Sequence, residues 1–144
     1  MTSQTDCVFC AIVAGDAPAS VVDGDEELLA FMDARPVNAG HLLVIPRAHA
    51  SGLRDLPAAT GGRMFEMAQR LAAALYDCEA ITCEGVNLFL ADGAAAFQEV
   101  FHVHVHVVPR FSGDGFRLDA SWRTAERDEL DAVAAELRTT LTHL

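Results

Sequence analysis

A run in which histidine alternates with valine, from Phe101 to Pro109, constrains the fold of this chain more than any other feature. Valine is a strong strand former, and strict alternation is typical of a β-strand. Side chains two residues apart lie on the same face of a strand, at steps of about 6.6 Å. We therefore predict that His102, His104 and His106 share one face and that the intervening valines point into the core.

Three imidazoles on one strand face are costly to bury without hydrogen-bonding partners. An exposed strand with satisfied polar groups would explain one histidine better than it explains three. Two functional interpretations remain. The row is a metal site, since imidazole is a common zinc ligand, or its central histidine is a nucleophile towards phosphorus and the neighbouring histidines position the substrate. The residues alone indicate only that this face is functional.

The rest of the sequence predicts groups of strands separated by helices. A long amphipathic helix is expected up to Asp77, with Asp55 as its N-cap and Pro57 in its first turn. Thr124 is expected to cap a C-terminal helix. Strands are predicted at residues 20–22, 27–32, 41–45, 85–90 and 100–108. This order favours an α+β fold, a single domain over residues 1–144 with a mainly antiparallel five-stranded sheet, one long central helix and a C-terminal helix.

Charge and composition restrict the partners. The chain has 21 acidic residues and 10 basic ones, a formal net charge of −11, so it would repel a nucleic-acid backbone. All the basic residues are arginines, which excludes lysine as a nucleophile. No apolar run approaches the ~20 residues that span a bilayer, and the first residues lack the pattern of a secretory signal. We therefore expect a cytoplasmic protein that binds neither nucleic acid nor membrane.

The cysteines point to metal or redox chemistry. A disulfide framework is not expected in a reducing cytosol, and the first two cysteines are separated by only two residues. The four cysteines are Cys7, Cys10, Cys78 and Cys83.

The histidine run and its neighbouring segments resemble the histidine-triad hydrolases, in particular the bacterial zinc-containing branch that is similar to nucleoside phosphoramidases. The matching segments are residues 7–12, 29–33, 40–49 and 98–110, in the usual order and at the usual separations. The resemblance covers about residues 7–117. A third histidine in the row is typical of the hydrolases, whereas uridylyltransferases carry glutamine there.

The resemblance implies a mechanism. His104 would attack the α-phosphorus of a purine nucleoside phosphoramidate or phosphoanhydride, and water would then release the nucleotide, such as AMP or GMP, from the nucleotidyl-histidine. His106 would contact phosphate oxygens, while His102 and His41 would complete the catalytic group. A neutral imidazole has an ordinary pKa near 6.5 and can act as a nucleophile at neutral pH.

The resemblance also implies how the nucleotide is bound. Asp33 would accept hydrogen bonds from the ribose, and backbone N–H groups of Gln98, Glu99 and Val100 would stabilise charge on the phosphate. The base would lie among apolar side chains near Phe9, Ile12 and Phe31.

A structural zinc ion is the cofactor that the resemblance implies, and no organic cofactor is expected. Its ligands would be Cys7, Cys10, His49 and His102, a tetrahedral set of nitrogen and sulfur atoms. Two alternatives stay open. The first cysteine pair could bind a metal together with Cys78 and Cys83, or all the thiols could be free.

Three positions depart from the family pattern: Ala91, Phe97 and Glu99, where asparagine, glycine and serine or threonine are common. Because the usual side chains help to bind phosphate or to protonate the leaving group, two further functions are considered. These are a dinucleoside polyphosphate hydrolase and a zinc-stabilised nucleotide-binding regulator with little catalysis. The resemblance also implies a homodimer, with Trp122 as a candidate contact with the partner's site.

Overall fold

The computed structural model describes residues 4–144, and its sheet has five strands in the order β1-β2-β3-β5-β4, with every neighbouring pair antiparallel. The strands are β1 (Val21–Gly24), β2 (Leu28–Met32), β3 (Leu42–Pro46), β4 (Gly85–Phe89) and β5 (Val105–Arg110). The helices are α1 (Val8–Ala14), α2 (Ala58–Asp77) and α3 (Arg127–Leu141). This confirms the predicted α+β fold, with its long central helix and C-terminal helix.

Helices cover both faces of the sheet. Alternate residues of β2 and β3 pack against α2 on one face and against α1 on the other. The α2 face includes Ala30, Val44, Met64 and Leu71. The α1 face includes Phe9, Phe31, Leu43 and Ile45. Because every residue of β3 is buried, this strand has a continuous apolar sequence, and each fully buried aliphatic side chain contributes about 1.5–3 kcal/mol.

The histidine strand is shorter than predicted. We expected a strand over residues 100–108, but β5 begins at Val105, so His102 and His104 precede it. The reason lies in the partner strand. The last pair of the ladder between β3 and β5 joins Val44 to Val105, and β3 ends at Pro46, which has no N–H to donate to a further pair.

The side-chain alternation persists beyond the end of the strand. Val103 and Val107 belong to the core on the α2 face. On the α1 face, the Phe9 ring contacts the rings of His102 and His104, with centroids 5.8 and 5.2 Å apart. The histidine rings therefore lie on one side of the sheet, as the alternation predicts, although only His106 belongs to the strand.

Two predicted helix caps are wrong. The N-cap of α2 is Pro57, whose extended backbone ends the preceding loop, whereas the Asp55 N–H donates to Gly52 in an earlier turn. The N-cap of α3 is Glu126 rather than Thr124. Among residues 4–144, no helix has the length and apolar character needed to cross a membrane.

Candidate active site and metal cluster

A cleft of about 920 Å³ opens on the side of the sheet that α1 covers. One wall is apolar and comes from α1 and β2. The opposite wall comes from the segment that precedes the histidines. The lining includes Phe9, Ile12, Phe31, Asp33, His104 and His106. The cleft therefore combines an apolar surface with titratable groups, as small-molecule sites commonly do.

His104 lies at the floor of this cleft with 6% of its surface exposed. Its Nδ1 is 2.7 Å from the carbonyl oxygen of His102. Because a carbonyl oxygen can only accept a hydrogen bond, Nδ1 carries the proton of the neutral ring and Nε2 keeps its lone pair. The backbone thus fixes His104 in the tautomer that a nucleophile needs.

His41 and His106 form a second hydrogen-bonded group. The Val37 N–H donates to Nδ1 of His41 at 3.0 Å, so the proton of the neutral His41 ring is on Nε2. This Nε2 lies 2.9 Å from Nδ1 of His106 and 3.5 Å from Oδ2 of Asp33. Donation from His41 to His106 leaves the His106 proton on Nε2, where it can be donated to a ligand.

The environment keeps these imidazoles neutral. Burial, with help from the rings of His104 and His41, lowers the pKa of His106 to about 4. Burial also lowers the pKa of His41 and that of His104, although the Asp33 carboxylate acts in the opposite direction on both. At pH 7 the rings are uncharged, which is the nucleophilic form.

The loop between β2 and β3 positions Asp33 and His41. The Asp33 N–H donates to the carbonyl of His41, and the Asp33 side chain accepts from the N–H of Arg35 at 2.8 Å. Gly40 has a φ of +99°, and a Cβ there would lie 3.1 Å from the side chains of Leu75 and Ile81. Glycine is thus required just before His41 both for its backbone conformation and for the close packing.

The opposite wall of the cleft depends on Gln98. Its buried side chain accepts from the Gly93 N–H and donates to the carbonyls of Ser51 and Val100, and its own N–H donates to Gly93. These bonds hold the Gln98 side chain inside the loop, and its predicted contact with the nucleotide stays a prediction. The next two residues, Glu99 and Val100, do line the cleft.

The predicted zinc ligands come together behind the cleft. Nδ1 of His102 is 3.4 Å from Sγ of Cys7 and 3.6 Å from Sγ of Cys10. Nδ1 of His49 is 3.3 Å from Sγ of Cys10 and 3.3 Å from Nδ1 of His102. Each residue therefore directs one nitrogen or sulfur atom at the same point, and together they could hold a metal ion.

These distances fit a tetrahedral zinc site. Bond lengths of about 2.05 Å to nitrogen and 2.3 Å to sulfur give edges of about 3.3 Å between two nitrogens and 3.6 Å between nitrogen and sulfur. The Nε2 of His102 lies 2.7 Å from the Pro46 carbonyl, so its proton is there and Nδ1 offers a lone pair. Burial, followed by the neighbouring Cys7, raises the pKa of Cys10 to about 11. A bound cation would favour the thiolate form of Cys10.

The HIT domain family matches residues 14–113 of this chain. The chain belongs to this family. A HIT-like protein of Mycobacterium tuberculosis is 38% identical over 94% of this chain and 92% of its own length. The adenylylsulfatase HINT3 of Arabidopsis thaliana is 33% identical over 94% of this chain and 68% of its own. A zinc-bound histidine triad protein from Mycobacterium smegmatis is 42% identical, covers 96% of this chain and 99% of its own, and superimposes with a TM-score of 0.75.

Some features of this HIT domain were absent from the sequence prediction. The Pro46 carbonyl and the Val37 N–H fix ring tautomers. Two backbone carbonyls of the loop after β3 also bind the residues around the histidines: the Ala50 carbonyl accepts from the Val103 N–H at 2.8 Å, and the Ser51 carbonyl accepts from the Gln98 side chain. Backbone groups carry most of these contacts, so residue types gave no signal for them.

Proposed function

We propose that this chain is a nucleotide hydrolase or nucleotidyl transferase that acts at the α-phosphorus of purine nucleoside phosphoramidates. The observation that supports this most directly is the His102 carbonyl, which holds the proton of His104 on Nδ1 at the floor of the cleft. His104 Nε2 attacks phosphorus, and the P–N bond breaks with its electron pair going to the amine, which takes a proton from solvent at the open mouth of the cleft. Water then attacks phosphorus and loses a proton to solvent, the bond from phosphorus to Nε2 breaks, and the nucleoside monophosphate is released. Because Nδ1 keeps its proton throughout, the His102 carbonyl stabilises the positive ring of the intermediate.

The other cleft residues bind the nucleotide. Nε2–H of His106 donates to a phosphate oxygen, and the N–H groups of Glu99 and Val100 stabilise charge on the phosphate. Asp33 accepts from the ribose, and the base lies against the apolar wall near Phe9. Asp33 has a second effect in this scheme, since its Oδ2 lies 3.5 Å from Nε2 of His41 and attracts the proton on that nitrogen.

Zinc is the metal that we propose for Cys7, Cys10, His49 and His102. Bound there, it would supply structural cross-linking rather than chemistry at phosphorus. The cross-link ties α1, which forms one wall of the cleft, to the residue whose carbonyl contacts His104. His102 therefore acts on the nucleophile through its backbone, while its ring is a metal ligand.

A homodimer remains our proposal for the assembly. Four apolar residues lie on one face of α3 and are exposed on the isolated chain: Leu130, Val133, Leu137 and Leu141. Trp122, with 82% of its surface exposed, precedes this helix. An apolar helix face of this kind is typical of a surface that packs against a second subunit, and light scattering of the purified protein tests it by mass.

The function is tested with adenosine phosphoramidate and diadenosine tetraphosphate as substrates. We expect turnover of the phosphoramidate, and His104→Ala should lower it by more than about 10³-fold. His143→Ala, which removes an exposed histidine at the C-terminal end, is the matched control and should keep full activity. Rapid quenching with labelled substrate should yield an acid-labile, base-stable adenylyl-protein in wild type and in His143→Ala but not in His104→Ala.

Other outcomes would select another function. Turnover of diadenosine tetraphosphate alone would identify a dinucleoside polyphosphate hydrolase. Binding of AMP without turnover of either compound would identify a regulator. Activity that persists in His104→Ala would exclude His104 as the nucleophile.

A further inference from the structure

The mouth of the cleft carries three exposed side chains that the proposed chemistry does not use. Phe97, Arg35 and Glu99 line the cleft, and their exposed fractions are 89%, 84% and 74%. The last two values refer to the side chains. These three side chains share the cleft with His104, the proposed nucleophile at its floor.

Phe97 is held in an unfavourable backbone conformation. Its φ of +67° and ψ of +25° are in the left-handed region, where a bulky residue is an outlier. The buried Gln98 side chain fixes the neighbouring backbone through three hydrogen bonds. A strained residue that is almost fully exposed gains little from packing within the chain, so a ligand-binding role is the natural hypothesis.

Arg35 and Glu99 form an ion pair with Nη2 and Oε2 2.7 Å apart. The pair joins the loop that carries Asp33 to the loop that precedes the histidines. It is close enough to the reacting groups for the Glu99 charge to oppose the lowering of the His106 pKa. Since the two charges neutralise each other, the pair adds no net charge at the mouth of the cleft that would attract an ionic group.

We propose that Phe97, Arg35 and Glu99 form the subsite for the leaving group, and that this subsite favours an uncharged leaving group with an aromatic face. In an in-line displacement the leaving group departs opposite the attacking atom. Attack from the floor of the cleft therefore directs it to the mouth, where the Phe97 ring offers a stacking surface. The inference rests on the proposed function and adds a substrate class to it: phosphoramidates of amines that carry an aromatic ring, such as benzylamine, in preference to polyphosphates or sulfate esters.

The test uses three substrates that share the adenylyl group: the benzylamine phosphoramidate, the methylamine phosphoramidate and adenylyl sulfate. Wild type should prefer benzylamine to methylamine by about threefold to tenfold in kcat/KM, the range expected for one aromatic contact. Phe97→Ala, which keeps a Cβ at this position, should remove the preference. Phe65→Ala is the control, since Phe65 is an exposed aromatic residue on α2 outside the cleft lining.

Substitutions in the Arg35–Glu99 ion pair test the preference for an uncharged leaving group. Glu99→Gln leaves the arginine charge unbalanced and should raise kcat/KM for adenylyl sulfate, relative to the methylamine substrate, by about threefold to tenfold. Arg35→Gln should lower the same ratio, and the double variant should return it to the wild-type value. Glu66→Gln, an exposed substitution on α2, should leave it unchanged.

Failure of this inference can be distinguished from failure of the proposed function. If wild type cleaves the phosphoramidates but Phe97→Ala keeps the benzylamine preference, the subsite is wrong. It is equally wrong if Glu99→Gln and Arg35→Gln change the sulfate ratio in the same direction. If wild type cleaves none of the compounds, the function is wrong. Dissociation constants measured in the His104→Ala background then decide the subsite, because the same preferences must appear in binding.

Discussion

The candidate site has two ends: the cysteine end, with Cys7, Cys10, His49 and His102, and the fixed-proton end, with Asp33, His41 and His106. Both ends contain histidines, but the hydrogen bonds to their rings are arranged in opposite ways. At the cysteine end, the Pro46 carbonyl accepts a hydrogen bond from Nε2–H of His102, which leaves Nδ1 with a lone pair directed at two sulfur atoms. At the other end, the Val37 N–H occupies the lone pair of His41, so a proton must lie on the ring nitrogen that faces His106.

The comparison teaches that backbone contacts decide which cluster can bind a metal. Asp33, His41 and His106 also place three ligand atoms within 4.8 Å of one another. A metal there would have to displace the Nε2 proton of His41 while Nδ1 accepts from the backbone, which requires an imidazolate. The cysteine end has no such conflict, so a metal is expected at one end and a fixed proton at the other.

The largest expected effect concerns the metal. We expect about one zinc per wild-type chain, almost none in Cys7→Ser, and full content in Asp33→Asn. Loss of the metal should lower the free energy of unfolding by about 4 kcal/mol at a zinc concentration a thousand times its Kd. Elemental analysis and denaturant titration provide the two measurements.

The matched control for this substitution is Cys78→Ser, since Cys78 is exposed and free. It should retain both zinc and stability. Full zinc content in Cys7→Ser would refute the cysteine cluster as the metal site. Zinc loss in Asp33→Asn would show that the metal binds at Asp33, His41 and His106 instead.

The next effect in size concerns the fixed proton. His41→Ala should lower kcat by about tenfold to a hundredfold, the usual effect of losing a hydrogen bond that orients a functional histidine. KM should change less, because His41 contacts the His106 ring rather than the nucleotide. Histidine side-chain NMR should show His106 protonated on Nε2 in wild type and a mixture of tautomers in the variant.

His41→Gln is the conservative partner of this variant, since its amide N–H can donate to Nδ1 of His106. It should recover part of the rate and of the NMR signature. Equal loss in both variants, with an unchanged His106 tautomer, would mean that His41 contributes only to packing.

The sequence predicted the parts of this molecule that depend on side-chain periodicity. The alternation of histidine and valine assigned each side chain to the correct face, and the apolar runs gave the strands and α2. It did not predict that β5 starts at Val105, because that boundary depends on Pro46 in a partner strand 59 residues away in the chain. Strand length in a sheet is a property of the pair, and one segment alone does not reveal it.

In the candidate site, too, the sequence predicted which side chains come together but not their contacts with the backbone. The resemblance to the histidine-triad hydrolases was enough to select Cys7, Cys10, His49 and His102, which the structure brings together. The tautomers could not be predicted, since they depend on the Pro46 carbonyl and the backbone of the segment itself. The predicted nucleotide contact of Gln98 stays a prediction, and nothing in the sequence indicated that its side chain would bond to Gly93 and Ser51.

The smallest expected effect is the pH dependence of stability at the fixed-proton end. His106 faces His41, His104, Asp33 and Glu99, and burial lowers its pKa from 6.5 to about 4. The folded state thus favours the neutral ring, and this contribution is fully present above pH 6.5 and is lost as the pH falls towards 4. Between pH 7 and pH 5, wild type should lose about 2 kcal/mol more stability than His106→Gln. Denaturant titrations at the two pH values measure the difference.

Loss of metal at low pH lowers the stability of both proteins equally, so it cancels in the difference between them. His143→Gln should behave as wild type. Equal losses in wild type and His106→Gln would mean that His106 already carries a proton at pH 5 in the folded protein, and the distinction between the two ends would then fail.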